Sequence, residues 1–202
     1  AMDIDAILGI INDEYLSSLE QTKRMDPPAI QSAVDAGEQQ VEYEIGTNEN
    51  EEGKIRLSWG RVIGTYAERE KLTAMQILSD VLTGNNQAPL TKAVLEDGLA
   101  ETMRLYTIDG VANPWVKIEA RNVKEENCKQ VEERIFDTLN ALANGGLDHE
   151  KLEASMANLE FQMRERDYGS YPQGLILGMQ VFDSWLYGGA PEANLQIGDL
   201  FV

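Results

Sequence analysis

Apolar residues spaced three and four positions apart predict most of the secondary structure of this chain. Six helices are predicted on this basis, and they begin at or near Ile4, Thr65, Pro89, Lys124, Asp148 and Leu175. Gly84 and Gly98 end the second and third helices, because glycine tolerates the left-handed backbone that commonly follows a helix. The stretch "MDPPAI" breaks any helix, so residues from about 21 to 37 are predicted to form a connector.

Alternation of apolar and polar residues predicts four strands, which arrive as two adjacent pairs. "VEYEI" at 41–45 and "KIRLSW" at 54–59 flank the turn-rich "GTNENEEG", and a second pair at about 101–108 and 115–121 flanks "DGVANP". Strands that follow one another along the chain usually lie side by side. We therefore expect an α+β fold in which helices cover one face of a largely antiparallel sheet.

A long helical hairpin is predicted to follow this domain. The helix from Asp148 to about Arg166 leads into "DYGSYPQG" and then into a second helix. That second helix carries an apolar stripe of Leu175, Met179, Phe182, Trp185 and Leu186. We expect an α+β domain at 1–147 and an antiparallel hairpin at 148–202. The stripe needs a partner, so we also expect some self-association of the chain.

The composition and net charge of the chain indicate which classes of partner it could bind. The 202 residues are 43% apolar and 26% charged, which is typical of a folded globular domain. The 17 basic and 35 acidic residues give a net charge of -18, which disfavours nucleic acid and anionic membranes as partners and favours a cationic ligand, unless the charge serves solubility alone. Without an apolar membrane-spanning run or a signal pattern, we expect a bacterial cytoplasmic protein.

Residues suited to catalysis or metal binding are scarce in this chain. Zinc catalysis normally needs three protein ligands, and the chain has one histidine and one cysteine. His149 falls on the exposed first turn of a predicted helix, and Cys128 lies in register with a buried apolar stripe. No H-x-x-E-H, H-E-x-x-H or C-x-x-C motif occurs, and "GNNQAPLTK" lacks the Walker spacing. We predict no catalytic, metal-binding or cofactor-binding residue.

Several stretches nevertheless resemble a known family. They are "VEYEI", "KIRLSWGRVIGT", "ILSDVLTGNNQAPLTKAVLEDGLAE", "GLDHEKLEASMANLEFQMRERDYGSYPQGL" and "SWLYGGAPEANL". Together they resemble the presequence-protease branch of the pitrilysin and insulinase zinc metallopeptidases, over nearly the whole chain. Ala88 departs from the family's "SPL" turn, which removes a serine that could cap the next helix.

The resemblance implies a noncatalytic domain of a zinc endopeptidase that degrades unfolded peptides in a closed chamber. Family members contain four homologous α+β domains joined by a helical hairpin, and the zinc lies in the first domain. This chain resembles the second domain and the start of the hairpin, so zinc would be bound upstream. Its partners would be the upstream catalytic domain, the downstream half and the peptide substrate. Candidate chamber or interdomain contacts are Asn86, Gln87, Pro89, Leu90, Arg164, Glu165, Tyr171, Pro172 and Trp185.

Two other interpretations stay open at this point. The chain could be a separate acidic module that binds a basic peptide along a sheet edge. It could also be a hydrolase complete in these 202 residues, although the missing ligands and nucleophile partners argue against this. The position of the native start codon would separate the first alternative from the protease domain, and metal analysis would address the second.

Overall fold

A computed structural model describes residues 3–23, 26 and 29–201 of the chain. Its helices are α1 (Ile4–Glu14), α2 (Arg69–Thr83), α3 (Pro89–Leu95), α4 (Cys128–Gly145), α5 (His149–Arg164) and α6 (Gln173–Trp185). Its strands are β1 (Ile55–Val62), β2 (Thr102–Ile108) and β3 (Trp115–Val123). Short 3-10 turns cover Leu16–Ser18, Glu125–Asn127, Ala193–Leu195 and Gly198–Leu200.

The three strands form one antiparallel sheet in the order β1-β3-β2. The register places Trp59 of β1 and Leu105 of β2 on either side of Ile118 in the central strand. Near its end β3 carries one extra residue, Asn122, whose φ of 57° lies in the left-handed region that asparagine tolerates. This bulge returns the side chain of Val123, which is 0% exposed, to the core.

The hydrophobic core lies between one face of the sheet and the helices α3 and α4. Its fully buried side chains come from both layers and are Leu90, Val94, Ala120, Val123, Val131 and Ile135. Trp59 and Phe136 meet edge to face at the margin of this core, with ring centroids 6.0 Å apart. The predicted α+β fold with helices on one face of an antiparallel sheet is confirmed.

Helix α2 runs beside the outer edge of β2. The Thr83 hydroxyl accepts a hydrogen bond from the Leu105 amide at 3.0 Å, which satisfies a donor that a sheet edge would otherwise expose. One turn before Thr83, the Asp80 carboxylate of α2 accepts a hydrogen bond from the Ser155 hydroxyl of α5 at 2.7 Å. The edge of β2 is therefore covered by α2, and α5 packs against α2.

The predicted strand at 41–45 is wrong. Residues 29–46 contain no strand, and Val41 is 72% exposed. Tyr43 still lies close to β1, because its hydroxyl donates to the Lys54 carbonyl and the Arg56 guanidinium carbon is 4.4 Å from its ring centroid. Alternation predicts a strand only where one face is buried, and neither face of this segment is.

The start of α1 agrees with expectation, and the start of α2 does not. Asp3 caps α1 as its acidic start suggests, by accepting from the Ala6 amide at 3.2 Å, but no residue of α1 is buried. Thr65 does not cap α2, which begins at Arg69. Instead the Glu68 carboxylate accepts from the Thr65 amide at 2.7 Å.

The predicted break at "MDPPAI" includes Met25, Pro27 and Pro28, which lie outside the described residues.

Both helices of the predicted hairpin are present, but a packed antiparallel pair is not what the described residues show. Helix α5 packs against α2, whereas α6 packs against the 3-10 turn at 193–195. The Tyr187 hydroxyl donates to the Gly110 carbonyl at 3.0 Å, and the Arg69 guanidinium donates to the Gln196 carbonyl at 2.6 Å. Over the part of the chain that is described, no helix is long and apolar enough to cross a membrane.

Candidate functional site

The sheet face opposite α3 and α4 is polar along much of its length and carries several cationic side chains. Alternation along β3 places Lys117, Glu119 and Arg121 on this face. The register then places Arg56 of β1 opposite Arg121, and Arg104 of β2 opposite Glu119. Four cations therefore surround one carboxylate, in a chain whose net charge is -18. We call these five residues the cationic face.

Glu119 is the centre of this arrangement. It is 4% exposed, and it accepts hydrogen bonds from Lys117 at 2.6 Å, from Arg121 at 2.6 Å and from the Tyr106 hydroxyl at 2.9 Å. Burial by itself would raise the pKa of Glu119, but these three donors and the charge of Lys117 lower the pKa to about 2. The hydrogen bond between Lys117 and Glu119 also raises the pKa of Lys117. The carboxylate is therefore ionised at neutral pH.

The far end of the same face is apolar. Val62, Trp115 and Ile108 lie side by side across the three strands. Gly60 lies beside the indole, and a β-carbon at that position would be in van der Waals contact with the Trp115 ring at 3.4 Å. Val62 is 53% exposed, so part of this apolar end is open to solvent.

A polar groove of about 570 Å³ runs between the end of α2 and the edge of β2. Its lining includes Asp80, Asn86, Thr91 and Arg104. The Thr91 hydroxyl is buried and has no hydrogen-bond partner among the described residues. The groove brings one of the predicted contact residues, Asn86, close to Arg104 of the cationic face.

The predicted contact residues lie in three stretches of the fold. Asn86 and Gln87 are exposed in the loop before α3, and Pro89 is the first residue of that helix. Leu90 is 0% exposed and lies in the hydrophobic core, so its role here is packing. Ala88 caps α3 without a side-chain hydrogen bond, which agrees with the expected loss of a hydroxyl cap.

The other predicted residues surround the ends of α5 and α6. Arg164, Glu165, Tyr171 and Pro172 are exposed, and Arg164 donates to Glu160 of its own helix at 2.7 Å. Trp185 is 49% exposed. Among the described residues, no hydrogen bond, ion pair or aromatic contact joins these positions to Asn86 or Gln87.

Sequence reasoning missed the cationic face altogether. The signal was present in "VKIEARN", where Lys117, Glu119 and Arg121 occupy every second position and so share one face of a strand. Arg56 and Arg104 join them only through strand pairing. That pairing brings together residues far apart in the chain.

The residues present do not fit a catalytic zinc site. In the described part of the chain, no group of three or more histidine, cysteine, aspartate or glutamate side chains could hold a metal ion. His149 is exposed on the first turn of α5. Burial and the charge of Glu125 raise the pKa of the Cys128 thiol, which disfavours the thiolate that a metal or a nucleophile requires.

Comparison with known structures agrees with the fold. A protease from Helicobacter pylori matches with a TM-score of 0.63 at 14% identity, over 99% of this chain and 46% of that chain. The inactive peptidase domain of a candidate zinc protease from Bordetella parapertussis matches with a TM-score of 0.62 at 13% identity, over 77% of this chain and 82% of that one. At such low identity these matches establish the fold alone.

Sequence comparison identifies the family. Protein HypA of Clostridium perfringens is 34% identical over 198 residues, and presequence protease 1 of Arabidopsis thaliana is 40% identical over 124 residues. These alignments cover 96% and 61% of this chain, but 20% and 12% of the relatives. The resemblance to presequence proteases is confirmed. A family model described as "Peptidase M16 inactive domain" matches residues 1–159. The chain therefore belongs to the M16 peptidase family, and the part of the family that it matches is the inactive domain.

Proposed function

We propose that this chain is a noncatalytic domain of a longer zinc-dependent endopeptidase that degrades unfolded peptides. In that setting it supplies part of the wall of the substrate chamber and packs against the catalytic domain. The observation that carries the proposal is the match of residues 1–159 to an inactive peptidase domain. Among the described residues, no group of three or more histidine, cysteine, aspartate or glutamate side chains could hold a metal ion, and the role that we propose depends on shape and contacts.

The length of the relatives supports a role within a larger polypeptide. The chain spans about a fifth of the HypA protein, so other domains of the same polypeptide are its expected partners. Zinc would then be bound by an upstream domain. We propose a bacterial cytoplasmic location. A relative in Clostridium perfringens supports a bacterial source, and other relatives are mitochondrial presequence proteases.

The exposed apolar residues of α6 fit a contact with another domain. Met179, Phe182 and Trp185 are each about half exposed, at 57%, 50% and 49%. Phe182 and Trp185 stack with ring centroids 6.1 Å apart, so they present one continuous aromatic surface. We propose that this surface and the exposed predicted contacts, Tyr171 and Pro172 among them, pack on the rest of the enzyme.

The alternative of a separate acidic module that binds basic peptides draws less support from the structure. That alternative places the peptide along a sheet edge, and α2 covers the edge of β2. On the neighbouring sheet face, a cationic peptide would be repelled by four positive charges that outnumber one carboxylate. The open sheet face is thus opposite in sign to the chain as a whole.

The test uses a longer polypeptide that carries an H-x-x-E-H domain ahead of these residues. It should bind zinc and cleave a fluorogenic peptide, because the zinc-bound water and the motif glutamate supply the hydrolytic chemistry. Replacing that glutamate with glutamine is the matched control, and it should abolish cleavage while zinc is retained. A longer polypeptide that binds no zinc and cleaves no peptide would overturn the proposal.

A further inference from the structure

We propose that the cationic face binds an extended acidic peptide. Its recognition elements are the four cations Arg56, Arg104, Lys117 and Arg121. This inference deepens the proposed function, on which it rests for the statement that such a peptide is a substrate of the parent enzyme. The binding itself is a property of the 202-residue chain and can be measured on it directly.

The first step of the argument is the imbalance of charge on this face. Arg56 lies directly opposite Arg121 in the strand register. Adjacent strands are about 4.8 Å apart, and like charges directly opposite one another destabilise a sheet. Glu119 offsets part of this repulsion, but its hydrogen bonds go to Lys117, Arg121 and Tyr106. A bound carboxylate would supply negative charge beside Arg56, which forms no ion pair with another described residue.

The second step is the availability of the remaining arginines. Arg56 and Arg104 are exposed, and neither forms an ion pair with another described residue. Arg56 instead lies over the Tyr43 ring. A guanidinium presents a planar set of donors that matches a carboxylate, so these two side chains are suited to anion recognition.

The third step is the shape of the surface. The face runs from a cationic end at Arg56 and Arg121 to an apolar end at Val62, Trp115 and Ile108. From Arg121 to Trp115 the central strand covers about 20 Å, at roughly 3.3 Å per residue. An extended segment of about seven residues would span this distance. Such a segment would place carboxylates near the arginines and an apolar side chain against the indole.

The charge of the whole chain does not prevent this binding. Most of the acidic residues are remote from this face. At physiological ionic strength, the effect of exposed charges farther away than about 8 Å is largely screened. A segment lying on the sheet is therefore affected mainly by the five charges of the cationic face, of which four are positive and one is negative. An acidic peptide is thus favoured over a basic one at this face, despite the net charge of -18.

Fluorescence anisotropy with labelled ten-residue peptides tests the proposal in 150 mM salt. One peptide carries alternating glutamates and a terminal leucine, a second replaces each glutamate with glutamine, and a third replaces each with lysine. The acidic peptide should bind at least about tenfold more tightly than the glutamine peptide. The double variant Arg56→Glu with Arg104→Glu should reduce that affinity by about tenfold or more.

The matched control reverses two cations on the outer helices, Lys129→Glu with Lys151→Glu, and both positions are exposed. It changes the net charge by the same amount, and it should alter acidic-peptide affinity by less than about twofold. Circular dichroism of each variant establishes that it is folded. A loss as large in the control would attribute the binding to net charge and overturn the proposal.

Two further results would also overturn it. One is equal binding of the acidic and glutamine peptides. The other is tighter binding of the lysine peptide or of a short single-stranded oligonucleotide through the same arginines. These results are distinguishable from failure of the proposed function, because the zinc content and peptide cleavage of the longer polypeptide are measured independently of this face.

Discussion

Replacing Glu119 with glutamine isolates the contribution of one buried carboxylate to the stability of the sheet. Glutamine keeps the size of the side chain, but it loses the charge that holds Lys117, Arg121 and Tyr106 together. The glutamine amide has one acceptor oxygen and one NH2 group that only donates. This NH2 group would face hydrogen-bond donors in place of an acceptor. The variant should therefore fold with the same topology and with reduced stability.

The magnitude follows from the pKa of Glu119. A pKa lowered from 4.5 to about 2 corresponds to roughly 3 kcal/mol of stability at neutral pH, at about 1.4 kcal/mol per pH unit. The side chains of Lys117 and Arg121 are 26% and 46% exposed, so solvent screening reduces this to about 2 kcal/mol. Because the folded-state pKa lies below the ordinary value, this stability is present above pH 4.5 and is lost as the pH falls towards 2.

Urea unfolding at pH 7 and pH 3 measures both effects. At pH 7 the glutamine variant should unfold with about 2 kcal/mol less free energy than the parent chain, and at pH 3 this gap should shrink to about half or less. Glu132→Gln, at an exposed position without a recorded hydrogen bond or ion pair among the described residues, should change stability by less than about 0.5 kcal/mol. A Glu119→Gln effect as small as this control, or a gap that is the same at both pH values, would refute the reasoning.

Three other changes have definite expected outcomes. Ala88→Ser should raise the free energy of unfolding by about 1 kcal/mol, since α3 has no side-chain cap; an unchanged urea midpoint would contradict this. Leu90→Ala should lower it by about 2–5 kcal/mol, because the side chain is fully buried, and a cost under about 1 kcal/mol would count against that placement. Arg69→Ala should speed amide exchange at 187–196 but not in the sheet, because Arg69 donates to the Ala193 and Gln196 carbonyls; unchanged exchange there would be inconsistent with this anchor.

The part of the fold that the sequence predicts well is the part that buries one face of each element. The stripe through Cys128, Val131 and Ile135 predicts a core helix, and the structure buries the latter two completely. The strands on either side of "DGVANP" pair with each other as expected. In both cases the periodicity reports burial, and burial is what stabilises these elements.

Where the sequence misleads, burial is missing or the determining contact is distant. Residues 41–45 alternate as a strand does, yet their side chains remain largely exposed and no strand forms. Thr65 has the chemistry of a helix cap, but the Glu68 carboxylate binds its amide and α2 begins at Arg69. A local pattern does not reveal which of two neighbouring groups will make the hydrogen bond.

The candidate site depends even more on contacts between distant residues. The cationic face requires Arg56, Arg104 and Arg121 to meet, and these belong to three different strands. Strand order and register determine whether these residues lie close together, and the local alternation of apolar and polar residues does not predict either of them. The expectation that the chain lacks a catalytic ligand set, in contrast, rests on the single histidine and the single cysteine, and it stays a prediction.

The zinc content of the purified 202-residue chain, measured together with its cleavage of a fluorogenic peptide, tests most directly the claim that this domain is noncatalytic. After dialysis against zinc and removal of excess metal, the chain should retain far less than one zinc ion per molecule and should show no turnover. One tightly bound zinc per chain, held by its own side chains, or turnover by the isolated chain would contradict the claim.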